Sequence, residues 1–260
     1  MSNLIKILTI IISSILMSAC STNKDTIIDY QSLGSLQTRD YIDHLAAAAK
    51  DYLKSEDIKT IKLRADNVEF LEEIYERLVT NNQMLLNITE KPTFYIIQSK
   101  SPFLFSLPRS QFFFSSALIE RYLKSEELFV AAFAAEVLRS QRYIYEKNIM
   151  IPFGFYSTEK IIQMTRLKFE IKQKVNEWTY VILKRAGYDA SAYLNWIQVQ
   201  NRNSLDFALF LGDPVGISKE EYAFKNFMSK QGITSVERRL SEANSSKKFY
   251  KLLNNIVSGK

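Results

Sequence analysis

The spacing of apolar positions changes several times along the chain, and each change predicts an element. The first stretch, residues 7–17, is apolar apart from Thr9, Ser13 and Ser14; it is too short to span a bilayer as a permanent helix. Residues 38–54 read as an amphipathic helix, and residues 60–63 as a short strand. Asp66 is placed to cap a helix over 67–81, in which Val68, Leu71, Ile74, Tyr75 and Leu78 recur at helical spacing. Pro92 opens the β-branched and aromatic run 93–97, a buried strand by composition. Pro102 and Pro108 bracket a loop over 103–107, and Gln-Phe-Phe-Phe-Ser at 111–115 predicts a second strand. A turn or two of helix follows around 117–123.

Ser125 then caps a helix reaching to about residue 147, with Glu126 and Glu127 in the first turn, where the helix dipole favours negative charge. Its first half is apolar nearly all round, which predicts a central position. Phe153-Gly154-Phe155 is a break. One long helix is expected over 158–186, stopped by Gly187 in the left-handed conformation that ends many helices. Further helices fit 190–200, 219–230 and 235–256, with 212–216 as a turn. The implied fold class is α+β, rich in helix.

The amino terminus has a separate logic. Lys6 precedes the apolar run, and the small residues Ser18 and Ala19 follow it; this is the order of a secretory signal. Leu16-Met17-Ser18-Ala19-Cys20 resembles the bacterial lipobox, with Met17 where Leu is usual. The expected organisation is a lipoprotein signal peptide over 1–19, a lipidated tether over 20–35 beginning at Cys20, and one domain over 36–260. Acyl chains on Cys20 would hold the domain at a membrane, since each buried methylene contributes ~0.8 kcal/mol. Ser21 follows the cysteine instead of Asp, which by resemblance to enterobacterial lipoproteins favours the outer over the inner membrane, with the domain facing the periplasm.

Composition narrows the chemistry. Cys20 is the one cysteine and His44 the one histidine, so an internal disulfide and a Cys/His zinc cluster are both excluded. Any Ser-His-Asp triad would need His44, which sits on the first amphipathic helix and reads as a surface or boundary residue. The net charge of +6 comes from scattered basic residues and permits a mild attraction to an anionic membrane surface. No nucleic-acid motif accompanies it, and a nucleic-acid partner is not expected.

The order strand, loop, strand, short helix, central helix, long helix carries a resemblance. Phe103-Leu104-Phe105-Ser106-Leu107-Pro108, the strand 111–115, Glu127 to Arg139 and Lys184-Arg185-Ala186-Gly187-Tyr188-Asp189 together resemble the HtpX- and BepA-like zinc metallopeptidases. The resemblance covers roughly residues 66–227. It implies a zincin-like domain, with a small sheet packed on a central helix. It also implies that the zinc-binding histidines of that family correspond to Ala135 and Arg139, and the third ligand to a position near Lys172, with Asn176 at the neighbouring acidic position and Glu170 two residues away. Two histidines at i and i+4 aim both imidazoles at one metal from one helix face. Alanine offers no ligand there, and a guanidinium repels a dication. No metal and no other cofactor is therefore expected.

Of the family's catalytic motif only Glu136 stands. In an active relative it would be the general base for zinc-bound water; here it reads as vestigial. The plainer alternative is an ion pair with Arg139 or Arg166, since a carboxylate in an apolar helix must be paired to be tolerated. Successive strand residues face opposite sides, so the three rings of Phe112, Phe113 and Phe114 cannot share one face, and one face of this strand is either covered or exposed. The resemblance implies that the strand is the sheet edge that holds a peptide by strand addition, and so that these residues receive a peptide or a partner. Three functions stay open: an inactive metallopeptidase-like domain that binds or scaffolds an envelope protein or peptide, a hydrolase with an atypical site around Glu136, and a structural envelope lipoprotein. The lipid anchor makes a direct prediction. Cys20→Ala should leave the chain uncleaved or released from the membrane fraction; processing and fractionation like the wild type would remove the lipobox reading.

Overall fold

A computed structural model describes residues 38–87, 89–145, 156–231 and 245–259. The signal peptide, Cys20 and the tether lie outside the described residues. Of residues 1–40 only the start of the first helix is described; residues 41–260 form one compact unit. The element order is α1 Thr38–Leu53, β1 Thr60–Ile61, α2 Ala65–Thr80, β2 Thr93–Ile97, β3 Leu104–Leu107, β4 Gln111–Ser115, α3 Ser116–Arg121, α4 Glu126–Gln141, α5 Thr158–Thr165, α6 Phe169–Arg185, α7 Ala192–Arg202, the single turn α8 Ala208–Leu211, α9 Pro214–Lys230 and α10 Lys247–Ser258. The protein is a helix-rich α+β structure with one small mixed sheet.

The strands lie in the order β1-β2-β4-β3. β1 runs antiparallel to β2, β2 parallel to β4, and β3 antiparallel to β4. Residues 103–107, read from the sequence as a loop, thus supply a strand, and β4 is interior. This overturns the expectation that Phe112, Phe113 and Phe114 line a binding edge. All three rings are fully buried, with 0% exposure.

The paradox of three consecutive phenylalanines is resolved by covering both faces of the sheet. Phe112 and Phe114 point to α4, where Phe112 meets Phe133 edge-on at 4.8 Å and Phe114 stacks on Phe129 at 5.3 Å. Phe113 points the other way, stacked between Phe105 at 4.7 Å and Tyr95 at 4.9 Å. Tyr52 of α1 closes over that face, its ring edge-on to Phe113 and Phe105. Offset and edge-on contacts of this kind add to the burial of each ring. The sheet is consequently the middle layer between α1 and α4, with a separate apolar cluster on each face.

α4 is central, as its apolar sequence predicts: every residue from Leu128 to Gln141 is buried. Its start is capped by Ser125, whose hydroxyl accepts from the Leu128 amide. A second fixture comes from the far end of the chain, where Glu126 accepts the Ser246 amide at 2.8 Å and Ser245 accepts the Glu126 amide at 3.0 Å. The carboxyl-terminal helix also completes α2. Asp66 sits inside the first turn of that helix and does not cap it; the N-cap is Arg64, whose side chain makes no capping bond. Instead Asn255 of α10 accepts from the Arg64 amide at 3.0 Å and from the Asn67 side chain at 2.7 Å.

Three further boundaries differ from the sequence reading. α4 ends at Gln141, followed by Tyr143 at φ 52. The expected long helix is two helices, α5 and α6, parted by extended backbone at Arg166 and Lys168. The turn at 212–216 is shorter than expected: Gly212 turns with φ +75, and Asp213 caps α9, which starts at Pro214. Gly187, with φ +73, ends α6 as expected.

The burial of Phe113 yields a prediction. Phe113→Ala should destabilise the domain by ~3–5 kcal/mol, read by denaturant unfolding, because it removes a ring from the centre of a closed stack. Phe113→Lys should abolish the folded domain. A folded Phe113→Lys protein would mean that α1 does not cover this face.

Candidate functional site

Ala135, Glu136 and Arg139 lie on the buried side of α4 toward α6, so the turn that carries them is enclosed by packing. They line a half-open cavity of about 60 Å³ together with Lys172 and Asn176 of α6 and Glu220 of α9. The positions that the resemblance assigned to ligands are therefore brought to one place, although they are divided between α4 and α6. Glu170 is exposed and takes no part in the cavity. His44 is likewise exposed, on α1.

Glu136 is 4% exposed and both of its oxygens carry a donor. Arg139 Nη1 donates to Oε1 at 2.6 Å, an i,i+3 pair within α4. Ser106 Oγ, from β3, donates to Oε2 at 2.7 Å. Between the two partners considered from sequence, Arg139 and Arg166, the pairing thus goes to Arg139. The second guanidinium nitrogen of Arg139, Nη2, donates to the Thr165 carbonyl at the end of α5. Charge-assisted bonds like these are roughly twice as strong as neutral ones, so the pair ties the central helix to the sheet through Glu136 and to α5 through Arg139.

The bond to Thr165 also accounts for the break between α5 and α6. Thr165 Oγ1 turns back to the carbonyls of Ile161 and Ile162, and Arg139 takes the Thr165 carbonyl. Such side-chain competition for backbone groups ends helices. No apolar period could reveal this, because the competing guanidinium comes from a different element.

A second network faces the first across the cavity. Asn176 Nδ2 donates to Glu220 Oε1 at 2.9 Å, and Lys172 Nζ to Glu220 Oε2 at 3.4 Å. Tyr193 Oη donates to Asn176 Oδ1 at 2.6 Å. Burial holds the Tyr193 phenol well above its ordinary range, and the negative charges of Glu220 and Glu136 push the same way. The Tyr145 phenol, beside Ser106, is raised by burial as well. Both phenols therefore stay protonated and serve as donors. Ser106, Tyr145, Tyr193 and Glu220 were not singled out from sequence. Ser106 leaves one trace, a lone hydroxyl in an apolar run; Glu220 lies in an ordinary Lys-Glu-Glu stretch and leaves none.

The arrangement has limited chemistry. Zinc does not fit the side chains at this place: Ala135 has no donor atom, Arg139 and Lys172 are cations, and the oxygens of Glu136 are bonded to Arg139 and Ser106. Among the described residues no group of three His, Cys, Asp or Glu side chains is placed to hold a metal. Ser106 sits 2.7 Å from a carboxylate, the first requirement of an activated nucleophile, but it is fully buried and does not line the cavity.

A structural role for Glu136 has a measurable signature. Glu136→Ala should cost about 3–5 kcal/mol, because it leaves Arg139 buried without its counter-charge. Glu136→Gln should cost less, since the amide oxygen still accepts from one donor. Calorimetric melting of both variants checks this, and an unchanged melting temperature for Glu136→Ala would show that the ion pair does not hold the fold together. In comparison with known proteins, no protein-family model matches the chain and no curated protein is significantly similar to it.

Proposed function

We propose that this chain is an envelope lipoprotein, anchored in a bacterial membrane through Cys20, more specifically the outer membrane, and facing the periplasm. Its domain would be zincin-like but catalytically inactive, working in the binding or scaffolding of an envelope protein or peptide. The observation that carries this reading is the convergence of Ala135, Glu136, Arg139 and Lys172 on one cavity, with a small sheet on one side of their helix and α6 on another. That is the spatial relation which a metallopeptidase-like ancestry requires of the central helix and the helix after it. The residues at the ligand positions then remove the metal chemistry while leaving a half-open cavity behind.

The amino-terminal part of the reading is supported by Leu16-Met17-Ser18-Ala19-Cys20 and the apolar run before it. No helix among the described residues is long and apolar enough to cross a membrane, and the lipid on Cys20 would supply the attachment.

The test is metal content and hydrolysis on the purified full chain. The expected outcome is no stoichiometric zinc and no casein cleavage that a chelator abolishes. A hydrolase of this class with an atypical site would purify with about one zinc per chain and would lose its activity in Glu136→Gln. That result would overturn the pseudoenzyme reading in favour of an enzyme.

A further inference from the structure

An open groove of about 690 Å³ lies between α6 and α9, and its lining shares no residue with that of the cavity. Phe169, Ala223 and Phe227 supply apolar lining, and Tyr222 stands in the groove 69% exposed. Tyrosine and phenylalanine are enriched where proteins meet. Apolar surface alone would not say what meets it, but the charges on its rim do. Glu177 lies on the α6 side, Lys219 and Lys230 on the α9 side, and all three are exposed.

The placement of these charges follows from the direction of the helices. α6 and α9 run side by side in the same direction: Lys172 and Asn176 meet Glu220, and further along both helices Tyr180 meets Phe224 and Phe227. Glu177 therefore lies toward the carboxyl-terminal end of the groove, on α6, and Lys219 toward its amino-terminal end, on α9. A two-fold axis standing on the groove exchanges these positions. It lays α9 of one copy over α6 of the other, reversed in direction, so that Lys219 of each copy comes over Glu177 of the other. The same operation brings Lys230, the last residue of α9, over the start of α6, where Glu170 is exposed. Opposite charges thus meet at both ends, and Tyr222, near the middle, meets the groove of the second copy.

We propose that this face is the interface of a two-fold symmetric dimer, its occupant a second copy of this chain. Self-complementarity of one patch is what such an interface requires. Each helix has 17 residues, a length of ~25 Å. Two helices side by side, each about 10 Å across, offer about 500 Å² per copy, so the pair buries area at the lower bound of specific interfaces. The dimer is accordingly weak and concentration-dependent. Chains confined to one membrane, as proposed above, would meet at high effective concentration; the interface itself rests neither on that reading nor on the zincin-like one.

Sedimentation equilibrium of the full chain tests it, in density-matched detergent with micelles in large excess. The mass should rise toward that of two chains with concentration. Lys219→Glu and Glu177→Lys should each weaken the dimer by about tenfold, because symmetry turns both copies of the contact from attraction to repulsion. The two single variants mixed together should recover most of the affinity as a heterodimer, since each contact then joins opposite charges again, and the chain carrying both changes should recover it as well. Tyr222→Ser should weaken the dimer while leaving the melting temperature of the dilute chain unchanged. A groove filled in any other way leaves the chain monomeric at every concentration, and that result overturns the proposal. A dimer that neither charge reversal weakens, or that the paired reversals do not restore, overturns it too. Should a variant fail to fold, carbodiimide cross-linking of the unaltered chain decides. In a mixture of isotopically heavy and light chains, a link between Glu177 and Lys219 that joins heavy to light is expected, and its absence overturns the interface. None of these outcomes depends on zinc or on casein cleavage, so failure here is separable from failure of the pseudoenzyme reading.

Discussion

The architecture depends on one guanidinium. Arg139 lies in the most buried helix, where an unpaired charge would not be tolerated, and it meets that constraint by bonding in two directions. One nitrogen holds Glu136, which in turn holds Ser106 on β3. Another holds the Thr165 carbonyl. Sheet, central helix and the α5–α6 junction are thus fastened at one polar point inside an otherwise apolar core. A buried pair of this kind gives little net stability over apolar residues of similar volume, but removing one member is severe. The pair therefore serves better as a device that fixes the register of α4 against β3 than as a source of stability.

The same point explains why the cavity has its present character. An always-charged side chain stands on the wall of the cavity and brings a fixed positive charge beside Glu136. Glu136 is satisfied by Arg139 and by Ser106. The polar groups on the facing wall, Asn176, Glu220, Lys172 and Tyr193, satisfy one another. Among the described residues, both networks close without Arg166, whose Nη2 donates to the Leu209 carbonyl.

Much of this was legible in the sequence wherever a signal is local. The strands at 93–97 and 111–115, the Ser125 cap and the stop at Gly187 follow from composition, hydrogen-bonding capacity and backbone freedom within a few residues. The pairing of Glu136 with Arg139 was legible for the same reason, being an i,i+3 relation on one helix. Most of the failures involve distant partners. β3 was read as a loop because Pro102 and Pro108 bracket it, while its pairing with β4 is what makes it a strand. The edge position of β4 came from the resemblance alone; the three rings say only that both faces need attention, and nothing local says that α1 covers the second. The division of one long helix into α5 and α6 depends on Arg139, in a different helix. The capping role expected of Asp66 falls to Asn255, 191 positions from the Arg64 amide that it accepts.

That last substitution has a consequence for how the chain comes to be folded. The amino-terminal end of α2 takes its acceptor from a residue 191 positions later, and the start of α4 is tied to Ser245 and Ser246, 119 and 120 positions on from Glu126. Contacts of such sequence separation form slowly, because the entropy of closing the loop is lost before they reward it. Neither helix start is complete until residues 245–255 are present. A chain still lacking them has no finished domain. If the proposed signal directs the chain across a membrane in extended form, this delay would keep folding behind translocation.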